Sequence, residues 1–187
     1  PLLYILKEPL AFHILTLTAL LFALSKFLRD RATTPFPTRV RLWIVNNFAE
    51  FSFLAMIAIY WLVSIRSPLN IGVRHVLPTF PLIYILVSRQ VVHWLRWHGE
   101  SSPETWTELL KIFYARYIKV VPRFLFLGFL LLWLILGTFF AFPHFLSYYN
   151  ELAGGTRVGY KIAVDSNYDW GQDLNRLQYY VEENNID

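Results

Sequence analysis

Residues 124–142 read FLFLGFLLLWLILGTFFAF and contain no charged side chain. A helix needs about 20 apolar residues to cross the hydrocarbon core of a bilayer, so this stretch predicts a transmembrane helix. The composition of the whole chain also indicates a membrane protein. Hydrophobic residues make up 56%, charged residues only 16%, and the mean hydropathy is +0.40, values that are unusual for a soluble domain.

Three further apolar stretches lie upstream, at residues 9–28, 48–65 and 76–95. Each is close to the length that a membrane-spanning helix needs. The third is the weakest, because Arg89 and His93 interrupt it and must snorkel or pack inside a helix bundle. The sequence therefore predicts a bundle of four transmembrane helices over residues 1–145.

The segments between these spans differ in character. Residues 30–47 are polar and contain Pro35 and Pro37, which predicts a connecting loop. Residues 103–120 alternate apolar and basic side chains at helical spacing, which predicts an amphipathic cytoplasmic helix on the membrane surface. Ser101 or Ser102 is the expected cap of that helix, with Pro103 and Glu104 in its first turn.

Lysine and arginine are distributed unevenly between the two sides of the bundle. Residues 26–41 and 89–123 carry five and six of them, eleven of the 17 in the chain. Because cytoplasmic loops are enriched in Lys and Arg, these two segments are predicted to be cytoplasmic. The pI of about 9.4 then reflects topology and not nucleic-acid binding. We expect a multi-pass protein of the plasma membrane with its C-terminal end outside.

Residues 146–187 form a polar tail that is predicted to be extracytoplasmic. Gly159–Val164 alternates apolar and polar side chains as a short strand would, and Leu174, Leu177 and Val181 mark one face of a helix. The predicted fold class is an all-α polytopic membrane protein with a small α/β tail. The chain opens at Pro1 and its one Met is Met56, so we expect a fragment of a longer protein whose tail domain continues.

Arg74 and His75 stand together just outside the third span. An arginine there can hold a phosphate through its planar guanidinium group, and a neighbouring histidine can donate a proton. The alternative is that Arg74 contacts lipid headgroups while His75 caps the span. The spacing alone favours this second interpretation.

The run DSNYDWGQD, Asp165–Asp173, permits three interpretations. Its alternating oxygens resemble a calcium loop, but Trp170 stands where the glycine belongs and Arg176 replaces the bidentate glutamate. Asp169 and Gln172 also fit a capping box at the start of a helix. A sugar site is the third possibility, with aromatic rings stacking on the sugar. Spacing does not choose between the last two, and no metal or cofactor is assigned.

Three segments together resemble the C-terminal part of glycosyltransferase family 39, relatives of the protein O-mannosyltransferases. They are Lys7-Glu8-Pro9, Asn70–Pro78 (NIGVRHVLP), and Pro143–Gly155 (PHFLSYYNELAGG) running into Asp165–Leu174 (DSNYDWGQDL). They occur in the order that the family shows and cover nearly the whole chain. One departure is Glu8, where relatives more often have threonine.

The resemblance implies an inverting glycosyltransferase that uses a polyprenyl-phosphate-linked sugar donor on the extracytoplasmic face of the membrane. Its catalytic base is expected upstream of Pro1, so no catalytic residue is assigned. Arg74 and His75 are expected near the donor phosphate. The residues expected near the sugar or the unidentified acceptor are Asn150, Glu151, Asp165, Asn167, Asp169, Trp170, Gln172 and Asp173.

Two other classes of membrane protein are alternatives. A non-catalytic scaffold or degenerate relative would retain the fold without the chemistry. A transporter is less consistent with the sequence, because the charges lie near the span ends and the chain has no internal repeat. The chain contains no cysteine, which excludes disulfides and thiolate metal sites.

Overall fold

The computed structural model describes residues 2–29, 35–67, 72–96, 105–118, 120–163 and 167–186. Its secondary structure is helical, with α-helices joined by short 3₁₀ helices and one π-helical turn. The α-helices are α1 (Leu2–Lys7), α2 (Leu10–Arg29), α3 (Phe36–Asn46), α4 (Phe48–Arg66), α5 (Phe80–Arg96), α6 (Trp106–Phe113), α7 (Val121–Ala141) and α8 (Leu174–Glu183).

Among the described helices, three are long and apolar enough to cross a membrane. They are α2 over Leu10–Leu28, α4 over Phe48–Arg66 and α7 over Val121–Ala141. The first two agree with the predicted spans. The third begins three residues before the predicted 124–142 and includes Arg123, which donates a hydrogen bond to the carbonyl of Trp94 at 2.9 Å. These helices indicate a membrane protein by length and composition.

Helix α5 occupies the third predicted span but is shorter than the other three. It has 17 residues, about 25 Å at 1.5 Å per residue, and follows a 3₁₀ helix at Leu77–Thr79. Its Arg89 forms an ion pair with Glu50 of α4. The side chain of Glu50 is 8% exposed. The arginine that weakens α5 as a span therefore has a partner of opposite charge on the neighbouring helix.

The apolar core lies where α2, α5 and α7 meet. Helix α2 contributes Ala11, Leu15 and Ala19, spaced four residues apart on one face. Val87, Val91 and Leu95 follow the same spacing on α5, and Leu130 comes from α7. The two alanines allow the backbones of α2 and α5 to approach closely, as small residues do between membrane helices.

The segment predicted as a connecting loop, residues 30–47, contains helix α3. Pro35 and Pro37 led to the loop prediction, but Pro35 is the N-cap residue and Pro37 lies in the first turn. The amide protons of a first turn have no partner within the helix, so proline does not interrupt the helix there. Arg39 is buried with its guanidinium carbon 4.3 Å from the ring centre of Phe27, a contact that the sequence could not show.

The amphipathic helix predicted at 103–120 is present as α6 and a π-helical turn at Tyr114–Ile118. Its N-cap is Thr105, whose hydroxyl accepts a hydrogen bond from the amide of Glu108 at 3.4 Å. The predicted capping residues Ser101 to Glu104 lie outside the described residues.

The structure does not confirm the predicted α/β tail. Gly159–Lys161 forms a 3₁₀ helix where a strand was predicted, and no strand occurs in residues 143–163 or 167–186. The alternation of side chains there covers too few residues to distinguish a strand from an irregular turn. Val164, the end of the predicted strand, lies outside the described residues. The predicted helix at Leu174, Leu177 and Val181 is present as α8.

Candidate functional site

The structure brings Arg74 together with two of the residues predicted near the sugar, Asn167 and Trp170. The 3₁₀ helix Gly72–His75 lies against Asn167, whose side-chain oxygen accepts a hydrogen bond from the amide of Val73 at 3.3 Å. The guanidinium carbon of Arg74 lies 5.7 Å from the ring centre of Trp170, within the range of a cation–π contact. We call Arg74, Asn167 and Trp170 the Arg74 surface.

Gly72 makes the approach of the tail possible. Its φ of +77° is a backbone conformation that side chains other than glycine rarely adopt. A Cβ atom at this position would also overlap the side-chain amide of Asn167. The glycine thus serves both the turn and the contact with the tail.

Arg74 and His75 lie in different surroundings although they are adjacent in sequence. His75 lines a cavity of about 620 Å³ between α1, the end of α4 and residues 162–163 of the tail. Its Nε2 atom is buried and has no hydrogen-bond partner among the described residues. Arg74 is exposed and lies beside Trp170. A 3₁₀ helix has three residues per turn, so successive side chains point about 120° apart. Arg74 and His75 therefore face different sides of this helix.

Asn150 is buried and does not line an open site. It is 1% exposed, and its side-chain nitrogen donates to the carbonyls of Ile5 at 2.6 Å and Glu8 at 2.8 Å. Its side-chain oxygen accepts from the amide of Leu152 at 3.1 Å. These bonds fasten the tail to the α1–α2 junction and leave no side-chain atom of Asn150 for a sugar.

Glu151 lies beside α7. Its carboxylate accepts a hydrogen bond from the indole nitrogen of Trp133 at 2.8 Å. Burial, together with the negative charges of Glu151 and Glu8, raises the pKa of Tyr148 to about 12. This exposed carboxylate remains accessible to a ligand, but it is not part of the Arg74 surface.

Residues Asp169 to Gln172 form a turn before α8, and Asp169 does not cap the helix. Asp169 accepts from the amide of Gly171, and Gln172 accepts from the amide of Trp170, both at 2.7 Å. Helix α8 begins at Leu174, and its N-cap residue is Asp173. The prediction that Asp169 caps the helix is therefore wrong, because the cap lies four residues further along the chain. Gly171 has a φ of +76° and allows the chain to turn into the helix.

No group of three or more His, Cys, Asp or Glu side chains suited to a metal ion is found within the described residues. Asp165, the first residue of the calcium-like run, lies outside them, as does Asn70. Asp173 lies 3.1 Å from Arg176 and 3.7 Å from His144. These contacts join the start of α8 to the residues that follow α7.

Sequence reasoning missed the polar residues at the α1–α2 junction. Glu8 is 5% exposed and accepts a hydrogen bond from the hydroxyl of Tyr84 at 2.9 Å. Burial raises the pKa of the Glu8 carboxyl, partly opposed by this hydrogen bond and by His13. The bond joins residues 76 positions apart, which no local pattern indicates.

Lys7 is the second missed group. Its ammonium donates to the carbonyl of Leu146 at 2.6 Å and lies 4.8 Å from the ring centre of Tyr149. Burial lowers the pKa of Lys7 to about 8. The Lys7-Glu8-Pro9 segment is part of the family resemblance, but the sequence does not show that Glu8 is buried and Lys7 half-buried.

The chain was compared with family models, with curated proteins and with solved structures, and none of these comparisons found a match.

Proposed function

We propose that the protein is a membrane glycosyltransferase that takes its sugar from a polyprenyl-phosphate donor and acts on the extracytoplasmic face. The observation that carries this proposal is the contact of Arg74 with Trp170 beside Asn167. A guanidinium group binds phosphate, while an aromatic ring and an amide suit a sugar. The family resemblance of the same segments supports the same chemistry.

The proposal includes a four-span topology with α5 as the additional span. Helix α5 packs against α2 and α4, two of the three long apolar helices. The ion pair with Glu50 compensates the charge of Arg89 within α5. With α5 crossing the membrane, both basic segments lie in the cytoplasm. The Arg74 surface then lies with the tail on the opposite side of the membrane.

Substitution of Arg74 tests the function. In membranes containing the protein, Arg74→Ala should weaken photocrosslinking by a photoreactive polyprenyl phosphate. The loss of one partner of a charged contact costs about 2–5 kcal/mol if the contact is buried by the ligand. Arg74→Lys should restore only part of the binding, because an ammonium lacks the bidentate geometry of a guanidinium. In the full-length enzyme, sugar transfer from the lipid-linked donor should fall in parallel.

Arg157→Ala is the matched control, because Arg157 is an exposed arginine of the same tail and lies outside the Arg74 surface. A polyprenol without phosphate should bind Arg74→Ala and the unchanged protein equally. Undiminished crosslinking of the phosphate probe to Arg74→Ala, at normal protein level, would instead favour the lipid-headgroup role of Arg74. A scaffold would show no sugar transfer in any variant of the full-length protein.

A further inference from the structure

An apolar groove runs along the outer side of the core, between α2, α5 and α7. It has a volume of about 450 Å³. Leu15, Val87 and Val91 form its buried floor, while Val92 and Leu131 stand half exposed at its rim. From Tyr84 to Val92 the groove follows nine residues of α5, a rise of about 12 Å. It therefore opens sideways from three helices that the proposed topology places in the membrane.

The size of the groove limits what can occupy it. A single alkyl chain fits, and in a membrane lipid chains are the molecules that surround such a groove. The volume also lies within the usual range of small-molecule sites.

The polar end of the groove indicates the headgroup. Among its described lining residues, Glu8 carries the one full charge, and its carboxylate already accepts the hydroxyl proton of Tyr84. Carboxylate oxygens accept hydrogen bonds and attract cations. An anionic head would be repelled at this end, whereas a protonated amine would provide both hydrogen-bond donors and the opposite charge.

We propose that this groove binds one alkyl chain of an amine-bearing amphiphile, with the ammonium group at Glu8. This site takes a cation, unlike the Arg74 surface, which is proposed to take a phosphate. It does not depend on the protein being a glycosyltransferase.

The test uses the protein in nanodiscs of phosphatidylcholine, whose quaternary headgroup has no N–H donor. Three probes with the same decyl chain and a terminal diazirine are compared: an amine, an alcohol and a phosphate. After irradiation, peptide mass spectrometry locates the crosslinks. We expect the amine to label peptides containing Val91 or Leu131 about tenfold more than the phosphate, a ratio suited to one charge-assisted hydrogen bond.

Two variants and one control complete the experiment. Glu8→Gln keeps an acceptor for Tyr84 but removes the charge, so amine labelling should fall about tenfold while alcohol labelling stays unchanged. Ser88→Trp, at the exposed rim, should reduce labelling by all three probes. Glu182→Gln, on exposed α8, should change nothing.

Three results would overturn the proposal. Equal labelling by the amine and the other probes would remove the role of Glu8 in head selection. Unchanged amine labelling of Glu8→Gln would do the same. Crosslinks outside the groove, or crosslinks unaffected by Ser88→Trp, would show that the chain does not enter it.

Discussion

At the scale of single residues, Asn150 and Lys7 show how a few polar side chains fix the tail to the bundle. Both reach partners about 140 positions away in sequence. Asn150 supplies two donors to carbonyls near Glu8, and Lys7 supplies one to Leu146. Buried carbonyls need such partners, because an unpaired one costs about 1–3 kcal/mol.

The pKa of Lys7 gives a prediction on pH. Burial lowers this pKa from 10.5 to about 8, so the folded state favours the neutral amine. Between these two values the unfolded chain binds more protons than the folded one, and the free energy of unfolding therefore rises with pH in that window. The neutral amine can still donate to Leu146.

Amine acylation followed by peptide mass spectrometry measures this titration. The reaction rate of Lys7 should rise with a midpoint near pH 8 in the folded protein. In denaturant the midpoint should move back to about 10.5, which serves as the control. A midpoint of 10.5 in both states would show that Lys7 is not enclosed as the structure has it.

At the scale of elements, the 3₁₀ helix Gly159–Lys161 depends on close packing against Tyr149. A Cβ atom on Gly159 would overlap the Tyr149 ring, which is 1% exposed and has no room to move. Gly159→Ala should therefore destabilise the tail by about 1–3 kcal/mol, the usual cost of overpacking. Faster trypsin cleavage after Arg157 and Lys161 in the membrane-bound protein would report this loss.

Gly128→Ala is the matched control for this prediction. A Cβ at Gly128, in α7, would meet no heavy atom within 4 Å other than its chain neighbours and the nearby backbone of its own helix. Alanine favours a helix over glycine by about 1 kcal/mol, so trypsin cleavage of the tail should remain as in the unchanged protein. If Gly159→Ala behaves like this control, the 3₁₀ helix does not pack on Tyr149.

At the scale of the whole molecule, the distribution of Lys and Arg predicts orientation, and cysteine labelling can test it. The chain contains no cysteine, so single cysteines can be introduced without background. With an impermeant thiol reagent on intact cells, Thr156→Cys should react, whereas Thr34→Cys and Ser102→Cys should be protected. Permeabilised cells, in which all three should react, provide the control. Labelling of Thr34→Cys with protection of Thr156→Cys would invert the topology.

Periodicity and hydropathy allowed much of the bundle to be predicted from the sequence. Helices α2, α4 and α7 follow from apolar stretches of the length that a bilayer requires, and α6 follows from its helical spacing. Helix α8 was predicted from Leu174, Leu177 and Val181, although its cap was not. These features depend on neighbours within a few residues, which a sequence displays directly.

The tertiary structure alone decided which distant groups meet. It placed Trp170 over Arg74, enclosed Asn150 in backbone hydrogen bonds, and joined Glu8 to Tyr84 at the end of the groove. It also separated His75 from Arg74, although the sequence sets them side by side. The physical reason is that a polar side chain satisfies its hydrogen bonds and charge with whatever the fold brings near, and no sequence period encodes that partner.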